Sequence, residues 1–331
     1  MTIAISVPLM FNIILAHCLQ LTARSLRSLT AVCRKLYAVS KEKMMYKFLI
    51  KRAEAVIEAL PYLRKFHGNL FVVKYGGAAM TDPELKDKVI QDIVLLNLVG
   101  IKVILVHGGG KEINKMLEKK KIKVEFVMGF RKTSPETMKI VERSLSRVNS
   151  DIAKLIKKHG GFPMRFSGRK GGLIKAKKLL VNKKIDIGFV GEVDRIRKAK
   201  IFKALKKGKI PVVSSIGIGS DNKLYNINAD TAASAIAKML EADKLILMTD
   251  VAGVLNKDGK LLSQINLNSA RSMIKKGVIS GGMIPKVSYG LDAITSGVGR
   301  VHIIDGKLPH SLLLEIFTNR GIGTMLVKQR A

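Results

Sequence analysis

The sequence predicts an α/β fold, an open three-layer α/β/α sandwich built on a mainly parallel sheet. Short apolar runs rich in β-branched residues alternate along the chain with stretches whose apolar residues recur at helical spacing. Several runs end in glycines that precede a predicted helix, which is typical of parallel strands joined by crossover helices. With 331 residues, 47% of them hydrophobic, the chain can form one large domain or two of ordinary size.

The predicted elements follow one another as strand–helix units from residue 70 onward. The run LFVVKYGG (70–77) leads into a helical stretch, and KVILVHGGG (102–110) repeats this order. Further strands are predicted in KIPVVSSIGI (209–218), KLILMTDVAGVL (244–255) and RVHIIDG (300–306). The segment LLVNKKIDIGFVGEV (179–193) has no helical period and predicts a strand and hairpin near the substrate edge of the sheet.

The segment 1–45 differs in composition from the rest and is predicted to be a leader. Residues 1–41 contain no acidic residue, begin with an apolar run and continue with many Ser, Arg, Leu and Thr residues, as in an organellar transit peptide. A start at Met44 or Met45, with an upstream leader that is not native, is an open alternative. A membrane anchor is disfavoured because Asn12 and His17 interrupt the apolar run.

A helix is predicted at 46–66, ahead of the first strand, from the helical spacing of Leu49, Ala53, Val56, Leu60 and Leu63. Pro61 is expected to interrupt or restart it. The helix could dock against another subunit or pack on its own domain, and the sequence leaves both possibilities open. The body that follows is divided near residue 240, into 67–240 and 241–331.

The charge balance, 59 Lys plus Arg against 25 Asp plus Glu, does not predict a nucleic-acid partner. The lysines are spread along the whole chain and aromatic residues make up only 5%, so no stacking platform organises them. Cys18 and Cys33 both precede the body, which excludes a disulfide framework there. The histidines have no zinc-ligand spacing, and no protein metal site is predicted.

Two lysines in glycine frames point to phosphate chemistry. Lys74 lies in LFVVKYGG and Lys286 in SGGMIPK, so each ammonium lies beside backbone that glycine leaves accessible to phosphate oxygens. Asp230 opens a predicted helix; it could be only an N-cap, or it could lie between the two lysines and hold both. Further glycines end strands where anions gather in α/β sheets, although each could serve only a tight turn: Gly76, Gly77, Gly108, Gly109 and Gly110.

The spacing excludes two common nucleotide-binding motifs, because these turns have neither GxxxxGK[ST] nor GxGxxG. Eight segments, in order, resemble the amino acid kinase family and its acetylglutamate kinase branch over about residues 46–331. They are VVKYGGAAM, VILVHGGGKEIN, GFRKTSPETM, FVGEV, NINADTAA, LILMTDVAGVL, VISGGMIPK and VHIIDGKLPHSLLLEIFTNRGIGTM. The resemblance implies ATP-dependent phosphorylation of the side-chain carboxylate of N-acetyl-L-glutamate, the second step of arginine biosynthesis. Mg²⁺ would arrive with the nucleotide.

The resemblance also implies residue roles. Lys74 and Lys286 would stabilise the transition state, and Asp230 would orient them. The residues that would bind acetylglutamate are Gly109, Gly110, Arg131, Asn226 and Asn228. Those that would bind phosphate or nucleotide are Gly76, Gly77, Gly108, Thr249, Asp250, Gly281 and Gly282. The segment 67–240 would then be the acetylglutamate-binding and dimerisation lobe, and 241–331 the nucleotide-binding lobe.

Arginine-inhibited members of this family imply a control site and an assembly. The feedback site would comprise Tyr62, Lys244, His302, Glu315 and Gly321, although His302 could be an interior histidine and Glu315 a helix-surface carboxylate. The helix at 46–66 would interlace dimers into a homohexamer, a trimer of dimers. The expected compartment is a plastid, and the cytoplasm is the alternative. The resemblance also implies that the PII signalling protein could bind.

The sequence departs from the family pattern in two places. Lys132 follows Arg131 where an apolar residue is usual, and FSGRKGGLIKAKK (166–178) is unusually basic. These changes could alter substrate affinity and leave the phosphoryl-transfer residues intact. The competing hypotheses are a non-catalytic arginine or nitrogen sensor on the same fold, a kinase of a related amino acid, and a nucleic-acid binder.

Overall fold

The computed structural model describes residues 23–168, 171–182 and 185–328, in two compact units, Met1–Leu60 and Pro61–Ala331. Residues 1–22 of the predicted leader, with Asn12, His17 and Cys18, lie outside the described part. Within the described part, no helix is both long and apolar enough to cross a membrane.

The first helix, α1 (Ala23–Phe66), contains Pro61, so the prediction that Pro61 interrupts or restarts the helix is wrong. Proline removes one backbone donor and costs about 3 kcal/mol inside a helix. The turn that follows Pro61 gains aromatic packing that stabilises it. Tyr62 stacks on Phe66 with ring centroids 6.4 Å apart, and Phe66 meets Phe71 edge-on at 5.6 Å.

The strands run as follows in chain order: β1 (Leu70–Tyr75), β2 (Lys102–His107), β3 (Phe126–Val127), β4 (Phe130–Arg131), β5 (Pro163–Phe166), β6 (Ile174–Val181), β7 (Ile185–Ile196), β8 (Ile210–Ser214), β9 (Ile216–Ile218), β10 (Leu224–Asn226), β11 (Lys244–Thr249), β12 (Gln264–Asn266), β13 (Arg300–Asp305) and β14 (Thr324–Val327). Eight of them form the central sheet in the order β12-β14-β13-β11-β1-β2-β8-β5. All its neighbouring pairs are parallel except β13 and β14. The predicted mainly parallel α/β fold is confirmed.

The helices after α1 cover both faces of this sheet. They are α2 (Pro83–Leu98), α3 (Gly110–Lys119), α4 (Pro135–Lys158), α5 (Lys198–Lys206), α6 (Ala229–Met239), α7 (Leu267–Lys275), α8 (Met283–Thr295) and α9 (Ser311–Ile316). Two begin at a proline behind a capping side chain, which fixes their start. Asp82 accepts hydrogen bonds from the backbone N–H groups of Glu84 and Leu85, and Ser134 accepts one from that of Thr137.

Strand β1 shows how the alternation of side chains divides the core. Leu70 and Val72 pack with residues of α6 and α8 on one face, whereas Phe71, Val73 and Tyr75 pack with residues of α2 and α4 on the other. The side chain at position 74 belongs to the α6 face by the same alternation. The fold therefore directs that lysine toward the first turn of α6.

A small closed barrel, β10-β7-β6-β9, adjoins the sheet. The hairpin expected within 179–193 is present as antiparallel β6 and β7, and its strands are longer than predicted, running from Ile174 to Ile196. Gly188 brings this hairpin against Thr133, with φ +83° and a position where a Cβ would lie 2.1 Å from the Thr133 carbonyl oxygen. Residues 183–184 at the hairpin turn lie outside the described part.

Candidate active site

Lys74, Asp230 and Lys286 form one ion-paired cluster. Lys74 Nζ lies 3.0 Å from Asp230 Oδ1, and Lys286 Nζ donates to Asp230 Oδ2 at 3.0 Å. Lys74 lies on β1, Asp230 in the first turn of α6 and Lys286 on α8. These elements are far apart in the sequence, so no local motif links the three residues. Each carboxylate oxygen faces one ammonium, so a single aspartate sets the positions of two positive charges.

The cluster is nearly closed to solvent. Asp230 is 8% exposed. Burial disfavours its charged form, but Lys74 and Lys286 outweigh this effect, and the pKa of Asp230 is lowered. Lys74 Nζ also lies 3.4 Å from the Met248 carbonyl oxygen. The carboxylate is thus ionised at neutral pH and holds both ammoniums.

Asn228 is the N-cap of α6. Its Oδ1 accepts hydrogen bonds from the backbone N–H groups of Asp230 at 2.8 Å and Thr231 at 3.3 Å. The capping role that the sequence left open for Asp230 therefore belongs to Asn228. Asp230 follows in the first helical turn, with its carboxylate free to bind the lysines. The helix N-terminus adds partial positive charge beside that carboxylate.

A cleft of about 600 Å³ opens beside the cluster, a size that suits a small polar ligand. The predicted site residues that line it are Lys74, Gly76, Gly77, Gly108, Gly109, Gly110, Arg131, Asn226, Asn228 and Asp230. Lys286, Thr249, Asp250, Gly281 and Gly282 are not among the described residues that line this cleft. Thr249 ends β11, and Gly281 and Gly282 precede α8.

Two glycine turns form one wall of the cleft. Gly77 has φ +71°, and a Cβ there would lie 2.3 Å from Asp250 Oδ1, so both conformation and space require glycine. Gly109 is the N-cap residue of α3, and no side chain caps this helix. A Cβ at Gly109 would lie 2.6 Å from Leu145 Cδ2. Uncapped N–H groups at a helix start favour an anion in the cleft.

Arg131 is a buried cation that also lines the cleft. It is 8% exposed, and its guanidinium lies 4.9 Å from the Phe126 ring centroid across the β3–β4 hairpin. Nη2 donates to Asn114 Oδ1 at 2.5 Å, whereas Nη1 has no hydrogen-bond partner among the described residues. Burial lowers the pKa of Arg131. A buried guanidinium with one unpaired nitrogen is suited to a ligand carboxylate.

The polar contacts around Arg131 and Asn226 include one residue, Asn114, that the sequence did not indicate as part of the site. Asn226 Nδ2 lies 3.4 Å from Thr133 Oγ1. Asn114, which positions Arg131, lies on α3, and its place in the sequence gives no sign that it contacts the β3–β4 hairpin. Only the fold brings these residues together.

The residues expected to bind arginine form a second, separate cluster. Lys244 Nζ lies 2.9 Å from His302 Nε2, and His302 Nδ1 lies 2.6 Å from Glu315 Oε1. Glu315 Oε2 accepts hydrogen bonds from the N–H groups of Ile322 at 2.7 Å and Gly323 at 2.9 Å. Lys244 begins β11 and Thr249 ends it, so this cluster lies at the amino-terminal end of that strand, opposite to the end that carries Thr249.

Burial and hydrogen bonds set the protonation of the Lys244–His302–Glu315 cluster. It lowers the pKa of Lys244 to about 8 and also lowers that of His302. Burial alone would raise the pKa of Glu315, but the His302 hydrogen bond and nearby amides lower it. The chain of bonds fits an ammonium donating to Nε2 and Nδ1–H donating to a carboxylate. Gly321, at φ +61°, lies beside Glu315, and Tyr62 donates to Asn319 Oδ1.

Residues 69–305 match the family described as the amino acid kinase family. The parallel sheet, the glycine turns and the paired lysines on one aspartate agree with that match. The chain belongs to the amino acid kinase family.

Its similarity is strong to proteins named acetylglutamate kinase. It is 48% identical over 291 residues to that of Heliobacterium modesticaldum, covering 84% of this chain and 99% of the relative. It is 50% identical over 278 residues to that of Campylobacter fetus subsp. fetus, covering 84% and 98%. The resemblance and the enzyme class predicted from the sequence are confirmed.

A solved structure is also similar. N-acetylglutamate synthase from Neisseria gonorrhoeae, complexed with coenzyme A and L-arginine, matches with a TM-score of 0.72 and 25% identity. The match covers 84% of this chain and 65% of that chain.

Proposed function

We propose that this protein transfers the γ-phosphoryl group of ATP to the side-chain carboxylate of N-acetyl-L-glutamate, forming N-acetyl-L-glutamyl 5-phosphate and ADP. The observation that carries the proposal is Asp230 holding Lys74 and Lys286 at 3.0 Å each, beside a glycine-walled cleft. Two fixed ammoniums and backbone amides supply what phosphoryl transfer requires, which is positioning and charge stabilisation. The names of the relatives support the choice of acceptor.

Each group has a role that follows from charge. The acceptor carboxylate is already ionised at neutral pH, so it attacks phosphorus without a general base. Lys74 and Lys286 offset negative charge on the transferred group and on the departing oxygen, and Gly76 and Gly77 present amides to it. Asp230 is a positioning residue here, because its oxygens are occupied by the lysines.

Mg²⁺ would be held mainly by the nucleotide. Among the described residues, no group of three His, Cys, Asp or Glu side chains could hold a metal ion. Phosphate oxygens and water are the ligands that Mg²⁺ commonly keeps in kinase sites. When bound with ATP, the ion neutralises phosphate charge. Thr249, Asp250, Gly281 and Gly282 are proposed to bind the nucleotide, with Gly108 at its phosphate end.

Arg131 is proposed to select the substrate. Its unpaired Nη1 would bind the α-carboxylate of acetylglutamate, and a planar guanidinium suits that group better than an ammonium does. Gly109 and Gly110 would contact the substrate backbone, and Asn226 and Asn228 would complete the pocket. In this proposed pose the side-chain carboxylate would lie toward Lys74.

A coupled ADP-release assay tests the proposal, with ATP, Mg²⁺ and a panel of acetylglutamate, glutamate, aspartate and carbamate. We expect turnover with acetylglutamate, a loss of at least about 100-fold in Lys286→Ala, and little change in Lys276→Ala, whose lysine is exposed at the end of α7. Arginine binding without turnover would instead favour a sensor. Preference for another acceptor would favour a related kinase.

The second cluster is proposed to bind L-arginine as a feedback inhibitor. Glu315 accepts three hydrogen bonds, and a carboxylate has about four lone-pair positions, so one remains for a guanidinium. The synthase structure solved with L-arginine supports this choice. Glu315→Gln should raise the arginine concentration that halves the activity at least about 10-fold. The activity of each protein is normalised to its own rate without arginine. The exposed Glu241→Gln is the matched control.

A homohexamer, a trimer of dimers, is proposed from exposed apolar side chains on α1. Phe48, Ile50, Val56 and Ile57 are each more than half exposed, which favours burial against a second copy. Native mass spectrometry of wild type and of Val56→Glu/Ile57→Glu tests this: loss of a hexamer in the variant supports it, and a wild-type dimer contradicts it. Plastid location and a PII partner stay predictions, to be tested by the mass of the mature amino terminus and by pull-down.

A further inference from the structure

His107 is a fully buried histidine that the proposed mechanism does not use. It is the last residue of β2, it is 0% exposed, and it directly precedes the glycine turn of the cleft. Its Nδ1 lies 2.9 Å from the Gly108 carbonyl oxygen, and its Nε2 lies 3.0 Å from Asn149 Nδ2. A buried polar ring in this place must satisfy both nitrogens.

The hydrogen-bond network allows only one protonation state for this ring. The Gly108 carbonyl only accepts, so His107 Nδ1 carries the proton. Arg165 Nε, which only donates, lies 2.9 Å from Asn149 Oδ1, and Asn149 Nδ2 donates to the Val212 carbonyl oxygen at 3.0 Å. These bonds fix the orientation of the amide. Its second N–H then points at His107 Nε2, which must accept.

The ring is therefore neutral and is not available as a base. Burial lowers the pKa of His107 to about 4, against a smaller opposing effect of the Gly108 hydrogen bond. Arg165 and Lys86 add a small effect in the same direction as burial. Both ring nitrogens are occupied within the fold, so no lone pair reaches the cleft. The contribution of His107 must come through the peptide it holds.

That peptide carries an amide of the glycine turn. In a planar trans peptide the C=O of residue 108 and the N–H of residue 109 point in opposite directions. The Gly108 oxygen is held toward the buried ring, so the Gly109 N–H points away from that ring. Gly108, Gly109 and Gly110 all line the cleft, whereas His107 does not. Among the described residues no backbone hydrogen bond uses this N–H.

We infer that His107, itself held by Asn149, is a positioning residue that aims the Gly109 N–H at an anionic oxygen of the reacting groups in the cleft. The inference rests on the proposed phosphoryl transfer. It assigns a task to a buried histidine that is neutral at neutral pH and does not line the cleft. Loss of its Nδ1–H would free the Gly108–Gly109 peptide to rotate, and the amide would no longer be preorganised.

Two substitutions separate positioning from packing. In His107→Asn the side-chain amide nitrogen occupies about the place of Nδ1 and keeps a donor for Gly108. In His107→Gln the amide moves to the ε position, so this donor is lost while a polar contact with Asn149 remains possible. We expect kcat to fall about 100-fold in His107→Gln with KM values within about 3-fold, and to stay within about 5-fold of wild type in His107→Asn.

The outcomes are distinguishable from failure of the proposed function. Wild type without turnover would sink the phosphoryl-transfer proposal itself. Wild type with turnover, and a kcat that falls equally in both variants in step with the melting temperature, would overturn the positioning role. If His107→Gln does not fold, ¹⁵N NMR of the wild-type imidazole decides: an Nδ1–H tautomer unchanged from pH 5 to 9 supports the inference, and an Nε2–H tautomer or a titrating ring contradicts it.

Discussion

Asp230→Asn is the substitution that most directly perturbs the charge arrangement of the site. It keeps the size of the side chain and removes the negative charge that both ammoniums share. Lys74 and Lys286 are 11% and 22% exposed at the side chain, so solvent replaces little of the lost charge. Both nitrogens bind one carboxylate, so they lie within about 8 Å, and their repulsion at an effective dielectric of about 20 is at least about 2 kcal/mol.

The lysines should therefore separate, and the transition state should lose both fixed charges. We expect kcat for acetylglutamate phosphorylation to fall about 10²–10³-fold in Asp230→Asn, because the two lysines act as a unit. Urea unfolding should show a loss of about 3 kcal/mol, the cost of leaving buried charges without a partner. Asp258→Asn, at an exposed loop position, is the matched control and should change neither quantity.

A double variant separates stability from catalysis. Asp230→Asn/Lys286→Met removes the repulsion, so stability should recover by about 2 kcal/mol while activity stays low. Retention of kcat within about 3-fold in Asp230→Asn would refute the view that this carboxylate positions both lysines.

Three further predictions concern other parts of the molecule. Arg131→Lys should raise KM for acetylglutamate about 10–100-fold in steady-state kinetics with little change in kcat, whereas its exposed neighbour Lys132→Met should stay within about 3-fold. Gly77→Ala and Gly68→Ala, at φ +71° and +81°, should each lose about 1–2 kcal/mol in urea unfolding, but only Gly77→Ala, where the Cβ meets a carboxylate oxygen at 2.3 Å, should also lose activity. The pKa of Lys244, about 8 in the fold against about 10.4 unfolded, makes the unfolded state bind more protons between these values, so wild-type stability should rise with pH there. Between pH 7.5 and 10.5 the free energy of unfolding of wild type should rise by up to about 3 kcal/mol relative to that of Lys244→Met, and no change in this difference would contradict the prediction.

Sequence patterns identified the parts of the fold that local chemistry determines. The strand runs, the glycine turns and the helix that contains Asp230 all follow from periodicity and from residue preferences near chain turns. Helix α1 shows the limit of such preferences. A proline normally ends a helix, but this helix continues through Pro61 into a turn that the aromatic packing of Tyr62 and Phe66 stabilises.

Contacts between distant segments could not be predicted in the same way. The sequence left open whether Asp230 caps α6 or holds the two lysines, and the capping bonds come from Asn228 instead. Asn114 reaches Arg131 only because α3 and the β3–β4 hairpin meet in space. Closure of β6, β7, β9 and β10 into a barrel also depends on pairings between segments far apart in sequence.

The central claim is that Lys74, Asp230 and Lys286 transfer a phosphoryl group to a carboxylate, and trapping the acyl phosphate tests it most directly. Purified protein is incubated with ATP, Mg²⁺ and N-acetyl-L-glutamate in the presence of hydroxylamine, and hydroxamate and ADP are measured together. We predict hydroxamate in equal amount to ADP for wild type, and at least about 100-fold less of both for Lys286→Ala. ADP release without hydroxamate, or equal hydroxamate in the two proteins, would contradict it.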